Sequence, residues 1–579
     1  MSRLKILPLL MGLLLSGCAQ QQVVAAAEKQ EPPVPQAAKQ EESAATHKEA
    51  LPAIALTDDL LFQFLVSEIA GQRGMLSLAK EGYLDLARKT RDPRVVRRAA
   101  EIALYSRDPA AALEISRLWL ELEPDSERAL QTLVVMLIAQ GQVQEAAPYL
   151  EKMLSSGGPE EGFMQLPALF GKTRDAELVL KVVKGLADKY PTLAEARFAL
   201  AHAALQAGRS DEALDALKQA EKLKPGWEPA ALLHAQMLAK ASRPEALVFL
   251  KGFVTAYPQA QDARLTYARL LVSANRFAEA HEQFVQLADE LPNSAEIAMS
   301  TGLLSLQIGR LDEAEKYLSR TLELGQDDGG IVPYYLGQVA EERNDYELAK
   351  SRYLSITGGE YQVASHIRLA SLLARQGQFD EAKATLKAIA PANDAQKVQL
   401  IQAEADLLRE ARDNAAVFAL LDEAVKSRPD NIDLLYDRAM AAEKLNKQEV
   451  VEADLRKVIK LKPDYAHAYN ALGYTLAEKT SRLGEATELL DKALSLAPED
   501  PFILDSMGWL FYRKGNLDKA REFLDHAWRL RQDPEIAAHL GEVLWMKGSR
   551  EEAAKLWQSS LQSHPKNEAL LEILKKFNP

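Results

Sequence analysis

Prolines recur along this chain at a nearly constant interval. The interval is about 34 residues, and the prolines that keep it are Pro191, Pro225, Pro258, Pro292, Pro429, Pro463 and Pro498. A chain with this period is expected to fold as a stack of small, similar repeats, because each repeat must bury its apolar face against its neighbours. Such stacks usually offer surfaces to other proteins and seldom carry catalytic centres.

A six-residue motif keeps the same interval and predicts the structure of each repeat. It begins with Gly, carries an acidic or basic residue near its end and closes with Ala, as in Gly208–Ala213, Gly309–Ala314, Gly377–Ala382, Gly515–Ala520 and Gly548–Ala553. Apolar residues on both sides recur at helical spacing, so we expect two helices in each repeat. The Gly should end the first helix at a positive φ, and the Pro should follow the second helix because it cannot continue one.

This pattern resembles the tetratricopeptide repeat. The residues that carry the best match are Tyr469, Leu472, Gly473, Ala486, Leu490, Ala493, Pro498, Met507, Gly508, Phe511, Ala520, Leu524, Ala527, Leu540, Gly541, Ala553, Trp557 and Pro565. The resemblance implies an all-α solenoid, a right-handed superhelix of about fifteen helix pairs between Leu60 and Pro565. Residues 566–577 are expected to form a final capping helix. Pro148 and Pro167 lie inside predicted helices, and we expect them to bend or break those helices.

The N-terminus has the features of an export signal. Arg3 and Lys5 precede an apolar run, Ile6 to Leu15, that is too short to span a bilayer. The following Leu15-Ser16-Gly17-Cys18 resembles the bacterial lipoprotein processing box. That resemblance implies cleavage before Cys18 and lipid on its sulfur and amine. Ala19 stands where Asp would retain the protein at the inner membrane, so the resemblance implies an outer-membrane location facing the periplasm.

Cysteine content agrees with a lipid anchor, although an ordinary signal peptide with a chance Cys is the alternative. Cys18 is the single cysteine among 579 residues. A protein in an oxidising compartment that has no second thiol can form no internal disulfide. Cys18 is therefore predicted to be the lipidation site.

Composition divides the chain into five predicted parts. Residues 1–17 are the signal peptide, and residues 18–56 hold the lipidated Cys and a linker that we expect to be disordered, since it has several prolines and no apolar period. Divergent N-terminal helical repeats follow at 57–154. The middle repeats occupy 159–324, and the C-terminal repeats with the capping helix occupy 330–579. Joints rich in Gly, at 155–158 and 325–330, separate these last three parts.

No motif in the chain assembles the groups needed for catalysis. His281-Glu282 lacks the second His of a zinc-protease motif, and Gly171-Lys172-Thr173 lacks the Gly that begins a phosphate-binding loop. Catalysis needs a nucleophile, a base and an orienting group held together. We therefore predict a non-enzymatic protein with no catalytic residue, no cofactor and no metal. The formal charge of −13 also argues against nucleic acid as a partner.

The first candidate binding site follows from the tetratricopeptide resemblance. In that family the inner face of the stack comes from four fixed positions of each first helix. In the last three repeats we place there His467, Asn470, Tyr474, Phe502, Asp505, Trp509, Tyr512 and Trp545. Aromatic side chains carry much of the binding energy of interfaces, so this set is a candidate partner-binding groove. The alternative is that these residues contact a neighbouring repeat or the final helix.

The second candidate site is a basic patch near the start of the repeats. It consists of Arg88, Lys89, Arg91, Arg94, Arg97 and Arg98. Guanidinium groups suit carboxylates and phosphates, so an acidic partner or lipid head groups could bind there. The alternative is a solvated helix end whose cations pair locally with Asp85, Asp92 and Glu101.

A lipidated Cys, a linker and a long helical stack together resemble one family in particular, the outer-membrane lipoprotein adaptors of periplasmic carboxyl-terminal processing proteases. The resemblance implies that the chain binds the protease, activates or positions it, and brings it substrates such as peptidoglycan cross-link hydrolases. One alternative is a scaffold for exopolysaccharide secretion or for outer-membrane or cell-wall assembly. A cell-wall enzyme hidden in the N-terminal region is a third.

Overall fold

The computed structural model describes residues 54–326 and 329–577. The predicted signal peptide, Cys18 and nearly all of the linker lie outside the described residues. Within the described ranges the chain is helical and contains no β-strand. The predicted fold class, an all-α stack of tetratricopeptide type, is confirmed.

The described residues form 31 helices. Their bounds are α1 Asp58–Gln72, α2 Leu76–Thr90, α3 Pro93–Tyr105, α4 Pro109–Leu122, α5 Glu127–Ala139, α6 Val143–Ser156, α7 Pro159–Phe170, α8 Ala176–Ala187, α9 Ala194–Gln206, α10 Ser210–Leu223, α11 Glu228–Ala241, α12 Arg243–Ala256, α13 Gln261–Ser273, α14 Phe277–Glu290, α15 Ala295–Gln307, α16 Leu311–Glu323, α17 Ile331–Glu342, α18 Tyr346–Leu354, α19 Tyr361–Arg375, α20 Phe379–Lys387, α21 Asp394–Glu410, α22 Asn414–Ser427, α23 Ile432–Lys444, α24 Gln448–Leu461, α25 Ala466–Lys479, α26 Leu483–Leu496, α27 Pro501–Arg513, α28 Leu517–Leu530, α29 Pro534–Met546, α30 Arg550–Ser563 and α31 Glu568–Phe577.

Helices α1 to α30 pack as consecutive pairs, with one exception: α7 and α8 each pack against α6 and α9 and not as a pair. Helix α31 closes the series against α29 and α30. The chain separates into two compact halves, an N-terminal half that ends at Gly325 and a C-terminal half that begins at Gln326. In the C-terminal half, first helices of successive repeats also touch one another, as α25 does with α27 and α27 with α29. The first helices α25, α27 and α29 therefore form one continuous face. The finer domain boundaries proposed from the sequence stay predictions.

The turn between the two helices of a repeat needs one residue at positive φ. Gly208 and Gly515 adopt φ values of 74° and 78° there, as the motif predicted. Where the repeat lacks Gly, another residue takes the left-handed conformation at the same place, as Asn446 does at 54° and Arg412 at 60°. Asn enters this region at low cost, and Gly without steric cost.

Two prolines do not break their helices, and this half of the predicted bend or break is wrong. Helix α6 continues through Pro148, and α7 continues through Pro167. Each proline removes one backbone hydrogen bond. The apolar stripes of these helices are nevertheless buried, as Leu150 and Leu154 are in α6 and Phe163 is in α7. Packing of these side chains outweighs the lost hydrogen bond.

A glycine inside the first helix sets how closely the second helix approaches. At Gly508 an added Cβ atom would lie 2.5 Å from Leu524 Cγ, and at Gly541 it would lie 2.0 Å from Trp557 Nε1. Both distances are far shorter than van der Waals contact. The buried leucine and tryptophan of the second helix therefore occupy space that only a residue without a side chain leaves open.

Replacing Gly541 by Ala is expected to destabilise the end of the stack by about 2 kcal/mol, since overpacking a core costs about 1–3 kcal/mol. The clash falls on Trp557, which is fully buried. The measurement is guanidinium denaturation followed by tryptophan fluorescence, in which the transition that reports the last repeats should move to lower denaturant.

Gly484→Ala in α26 is the matched control, because a Cβ atom there meets no other atom within 4 Å. This variant should be neutral or slightly more stable than the parent, since Ala is the better helix former by about 1 kcal/mol at most. Equal losses in the two variants would contradict the packing argument.

Candidate functional site

The predicted groove residues lie on three first helices that pack side by side. His467, Asn470 and Tyr474 are on α25, while Phe502, Asp505, Trp509 and Tyr512 are on α27 and Trp545 is on α29. Contacts between α25 and α27 and between α27 and α29 join these helices into one surface. We call this surface, with the inner positions of α23 beside it, the inner wall.

The centre of the inner wall is a cluster of rings around one carboxylate. His539 Nδ1 lies 2.9 Å from Asp505 Oδ2. The Trp509 ring stacks on the His539 ring at 4.3 Å between centroids, and the Tyr474 ring lies 6.1 Å from His539. Trp509 in turn packs against Tyr512 at 4.8 Å. The structure thus brings four of the predicted residues together around a histidine that the sequence did not single out.

Polar links tie the cluster to neighbouring repeats. The Trp509 indole donates a hydrogen bond of 2.6 Å to Glu478 Oε2, and the Tyr512 hydroxyl donates one of 2.8 Å to Glu542 Oε1. Lys576 of α31 reaches the same Glu542 oxygen at 2.7 Å. Glu542 is almost fully buried, so its charge requires these partners. The wall is therefore a fixed surface.

The carboxylates of the wall shape its electrostatics. Burial raises the pKa of Tyr474, and the negative charges of Asp505, Glu478, Glu443 and Glu535 raise it further. These four carboxylates come from four successive first helices, α23 to α29. Their common effect on one hydroxyl shows that the wall gathers negative charge around its aromatic centre.

His539 experiences the same field. Burial alone would lower the pKa of its imidazole, but the charge and hydrogen bond of Asp505 and the charges of Glu535 and Glu542 outweigh burial. The net effect is a raised pKa. An imidazole held between a tryptophan ring and a carboxylate therefore gains a proton more readily than a free histidine does.

The remaining predicted residues lie outside this central cluster. His467 is exposed, and Phe502 keeps 37% of its surface accessible with Arg531 placed 5.0 Å from its ring centre. Asn470 is half-buried, and its Oδ1 has no hydrogen-bond partner in the described part of the chain. Trp545 packs between Trp557 and Phe577. Its contact with the final helix is one form of the alternative interpretation, and the bonds of Asp505, Trp509 and Tyr512 to neighbouring repeats are the other.

Sequence reasoning missed the residues that complete the wall, namely Glu443, Glu478, Glu535, His539 and Glu542. Glu535 and Glu542 occupy the same inner positions of α29 that were assigned in α27, so the same register could have found them. Neither residue is aromatic. His539 lies one position off that register, and no signal in the sequence indicated it.

The six cations of the predicted basic patch each lie beside a carboxylate. The pairs are Arg88–Glu114 at 2.6 Å, Lys89–Asp85 at 2.5 Å, Arg91–Glu121 at 2.6 Å, Arg94–Asp92 at 2.6 Å, Arg97–Glu123 at 2.5 Å and Arg98–Glu68 at 3.1 Å. Most of these carboxylates come from a neighbouring helix, which the sequence did not reveal. The geometry favours local pairing, the alternative interpretation of this segment.

One buried cluster resembles a catalytic set in composition and differs from it in geometry. His281 Nε2 lies 2.9 Å from both Ser305 Oγ and Glu313 Oε2. In a catalytic triad the carboxylate and the hydroxyl contact opposite ring nitrogens. Ser305 is also fully buried and donates to the Thr301 carbonyl. The cluster has the arrangement of a packed polar contact in the core.

Metal sites and membrane spans are both absent from residues 54–326 and 329–577, the described residues. These residues contain no group of three or more His, Cys, Asp or Glu side chains placed to hold a metal ion. Among their helices, none combines the length and the apolar character needed to cross a bilayer.

A stack of helix pairs with an aromatic inner wall defines a helical-repeat scaffold for protein–protein interaction. Family models described as "Tetratricopeptide repeat" match residues 180–228, 265–329, 363–388 and 466–500. The TPR repeat-containing protein PA4667 of Pseudomonas aeruginosa is 36% identical over 490 residues, which cover 84% of this chain and 83% of that protein. The chain belongs to the family of tetratricopeptide-repeat proteins.

Solved structures with similar folds share little sequence with this chain. The structure titled "Structure of Naa15/Naa10 bound to HypK-THB" is 17% identical and covers 69% of this chain and 68% of that one, with a TM-score of 0.37. The thermophilic TPR protein TTC0263 of Thermus thermophilus is 23% identical and covers 31% of this chain and 97% of that one, with a TM-score of 0.29. Neither likeness bears on function.

Asp505→Asn is expected to lower the pKa of His539, because it removes the nearest charge that favours the imidazolium. Because the pKa of His539 is higher in the folded than in the unfolded chain, its protonation stabilises the folded parent protein. This stabilisation is fully present below the unfolded-state pKa of about 6.5. This advantage of the parent is lost as the pH rises through the folded-state pKa. The measurement is a pH titration of the histidine ring resonances by NMR, with His539→Gln used for assignment.

Asp491→Asn on α26 is the control, since Asp491 is exposed. It removes the same charge without touching His539. An unchanged pKa of His539 in Asp505→Asn would contradict the assignment of Asp505 as its main charged partner.

Proposed function

We propose that this chain is a lipid-anchored, non-enzymatic adaptor at the outer membrane that binds a periplasmic carboxyl-terminal processing protease and brings substrate proteins to it. The proposal combines the helical-repeat scaffold with the lipoprotein-like segment at Leu15-Ser16-Gly17-Cys18. The single observation that carries the proposal is that one chain combines a protein-binding scaffold with a lipoprotein-like segment. A scaffold of this kind acts on other proteins by binding them and keeping them at the membrane.

The length of the scaffold and its separation into two compact halves support the adaptor role. The 31 helices of the described residues, in two compact halves, give room for two proteins to bind at different repeats. Holding an enzyme and its substrate on one chain raises the effective concentration of each for the other, up to the millimolar range for short connections. We infer that different segments bind the protease and its substrates.

The anchor supports the location. Three acyl chains on Cys18 would exceed the two signals that firm membrane attachment requires. The linker of 18–56 would let the repeats stand away from the membrane surface. Proteolysis would then be confined to the layer between the outer membrane and the cell wall.

The second candidate function is a scaffold for exopolysaccharide secretion or for outer-membrane or cell-wall assembly. The anchor and the repeats agree equally well with this function, because neither feature identifies the partner that is bound. The two candidates differ in whether loss of the protein changes the stability of cell-wall hydrolases or the export of polysaccharide.

Cys18→Ser is expected to abolish lipid attachment and to release the protein from the membrane fraction, because the acyl acceptor sulfur is removed. The measurements are metabolic labelling with palmitate and fractionation of cells. As a control, Ser43→Cys in the Cys18→Ser chain returns a thiol outside the processing box and should restore neither property. Palmitate labelling of the Cys18→Ser chain would refute the assignment.

Degradation of a peptidoglycan cross-link hydrolase by the purified carboxyl-terminal processing protease of the same cells should be fast only when this chain is present. The measurement is loss of the hydrolase band over time, with and without the adaptor. A chain that ends after α24 should retain one of the two interactions, because we infer separate binding segments. Degradation at the same rate without the chain would contradict the adaptor role.

Crosslinking in cells, followed by mass spectrometry, separates the two candidate functions. Capture of the protease and a hydrolase would support the adaptor. Capture of secretion components without the protease would favour the assembly scaffold.

A further inference from the structure

We propose that the inner wall of the C-terminal half binds a basic, extended segment of a partner protein, with lysine or arginine side chains held among its carboxylates and aromatic rings. The proposal deepens the proposed function and rests on it, because it gives the chemistry by which the adaptor recognises a bound protein.

Three carboxylates of the wall lack an ion-pair partner within the described residues. They are Asp433 and Glu443 on α23 and Glu535 on α29. Other carboxylates of the wall are paired, as Glu478 is with Arg513 at 3.1 Å and Glu542 is with Lys576 at 2.7 Å. The unpaired charges flank the aromatic centre on both sides. A cation that enters there meets free carboxylates without displacing an existing pair.

The effect of these charges is visible at two titratable groups, one on the wall and one beside it. Glu443 and Glu535 contribute to the raised pKa of Tyr474, after burial and nearer carboxylates. Burial raises the pKa of Asp437, which lies beside the wall. A hydrogen bond from Gln402 and the charge of Arg409 lower this pKa, and the charges of Asp406 and Asp433 raise it. Burial is the larger cause of both shifts, and the contributions of the carboxylates add to it because they disfavour further negative charge there.

Aromatic rings supply the second half of the recognition. Tyr436 on α23 and Tyr474 on α25 are half-buried beside these carboxylates, with Tyr436 packed 5.5 Å from Tyr465. A cation over an aromatic face is attracted by the ring quadrupole. The chain itself shows this geometry at the edge of the wall, where the Arg531 guanidinium lies 5.0 Å from the Phe502 ring centre.

An extended backbone fits a polar group of the wall that has no partner within the chain. Asn470 lies between the carboxylates of α23 and those of α27, and its Oδ1 lacks a hydrogen-bond partner in the described protein. An extended segment carries free backbone N–H groups, whereas a helix uses them internally. A donor from such a segment can reach the half-buried amide after a small rotation of its side chain.

Charge decides between a basic segment and the other possible occupants. A second copy of this chain carries the same acidic wall and a formal net charge of −13, so two walls would repel each other. Anionic lipid head groups are excluded by the same sign. A basic segment is attracted, and its association should weaken with salt.

The test measures binding of two fluorescein-labelled peptides to the purified mature chain by anisotropy. One peptide alternates Lys with Ser and Tyr, and the other has Glu in place of each Lys. We expect binding of the Lys peptide alone, with affinity falling as salt rises from about 50 to about 300 mM. The variant Asp433→Asn, Glu443→Gln, Glu535→Gln should weaken binding about fivefold or more, since it removes three flanking charges.

The matched control carries Glu488→Gln, Asp491→Asn and Glu522→Gln, which remove three exposed carboxylates from second helices of the same half. It changes net charge equally and should leave affinity within about twofold of the parent. Equal weakening by both triple variants, or equal binding of the two peptides, would overturn the proposal. So would concentration-dependent dimerisation in sedimentation that the wall variant abolishes, because the wall would then be an interface between copies.

The outcome also separates this inference from the adaptor role. If the hydrolase is still degraded at the parent rate with the wall variant, the adaptor stands and the basic-segment proposal fails. If the Lys peptide binds at the wall and no protease is captured in cells, the wall chemistry stands and the adaptor fails.

Discussion

The close approach of two helices within each repeat is the constraint on which the rest of the structure depends. It is set by residues with little or no side chain, such as Gly541 and Gly508, against large buried groups of the second helix, such as Trp557. Each repeat buries its apolar stripe only in this arrangement, and a solenoid has no other core to compensate for its loss. The interval of about 34 residues is therefore a packing requirement that the chain must meet again in every repeat.

Fixed pairs allow polar side chains to reach from one repeat to the next at a constant offset. Asp505 and His539 are separated by 34 residues and meet across two first helices, and Glu542 and Lys576 do the same one repeat later. The cost of burying these charges offsets much of the energy gained by pairing them. Such links therefore fix the alignment of neighbouring repeats more than they raise the net stability. The inner wall is consequently aligned by the same periodicity that builds the stack, and its carboxylates and rings keep fixed relative positions.

The fold could be predicted almost entirely from the sequence, because periodic apolar residues, turn glycines and prolines all indicate the same repeat. The helix pairs, the final helix and the positive φ at Gly515 follow from them. The site could be predicted in part. The repeat register placed Asp505 and Trp509 on one surface. It did not place their partner His539, because the position of this residue depends on how α29 is rotated against α27. The ion pairs of the basic segment were likewise hidden, because carboxylates of another helix approach only in the folded chain. At Pro148 the local sequence was misleading, because proline disfavours a helix interior. The helix nevertheless continues, since the packing of the buried Leu150 and Leu154 outweighs this preference.

The placement of tryptophan gives the molecule a built-in optical reporter. Of its six tryptophans, Trp509, Trp528, Trp545 and Trp557 all lie in helices α27 to α30, and the other two, Trp119 and Trp227, are in the N-terminal half. Emission from the whole chain is thus weighted toward the last two repeats. Stacking of Trp509 on His539 makes one of these indoles sensitive to the protonation of its neighbour. A change in intrinsic emission would therefore report mainly on this end of the stack, with a smaller contribution from Trp119 and Trp227.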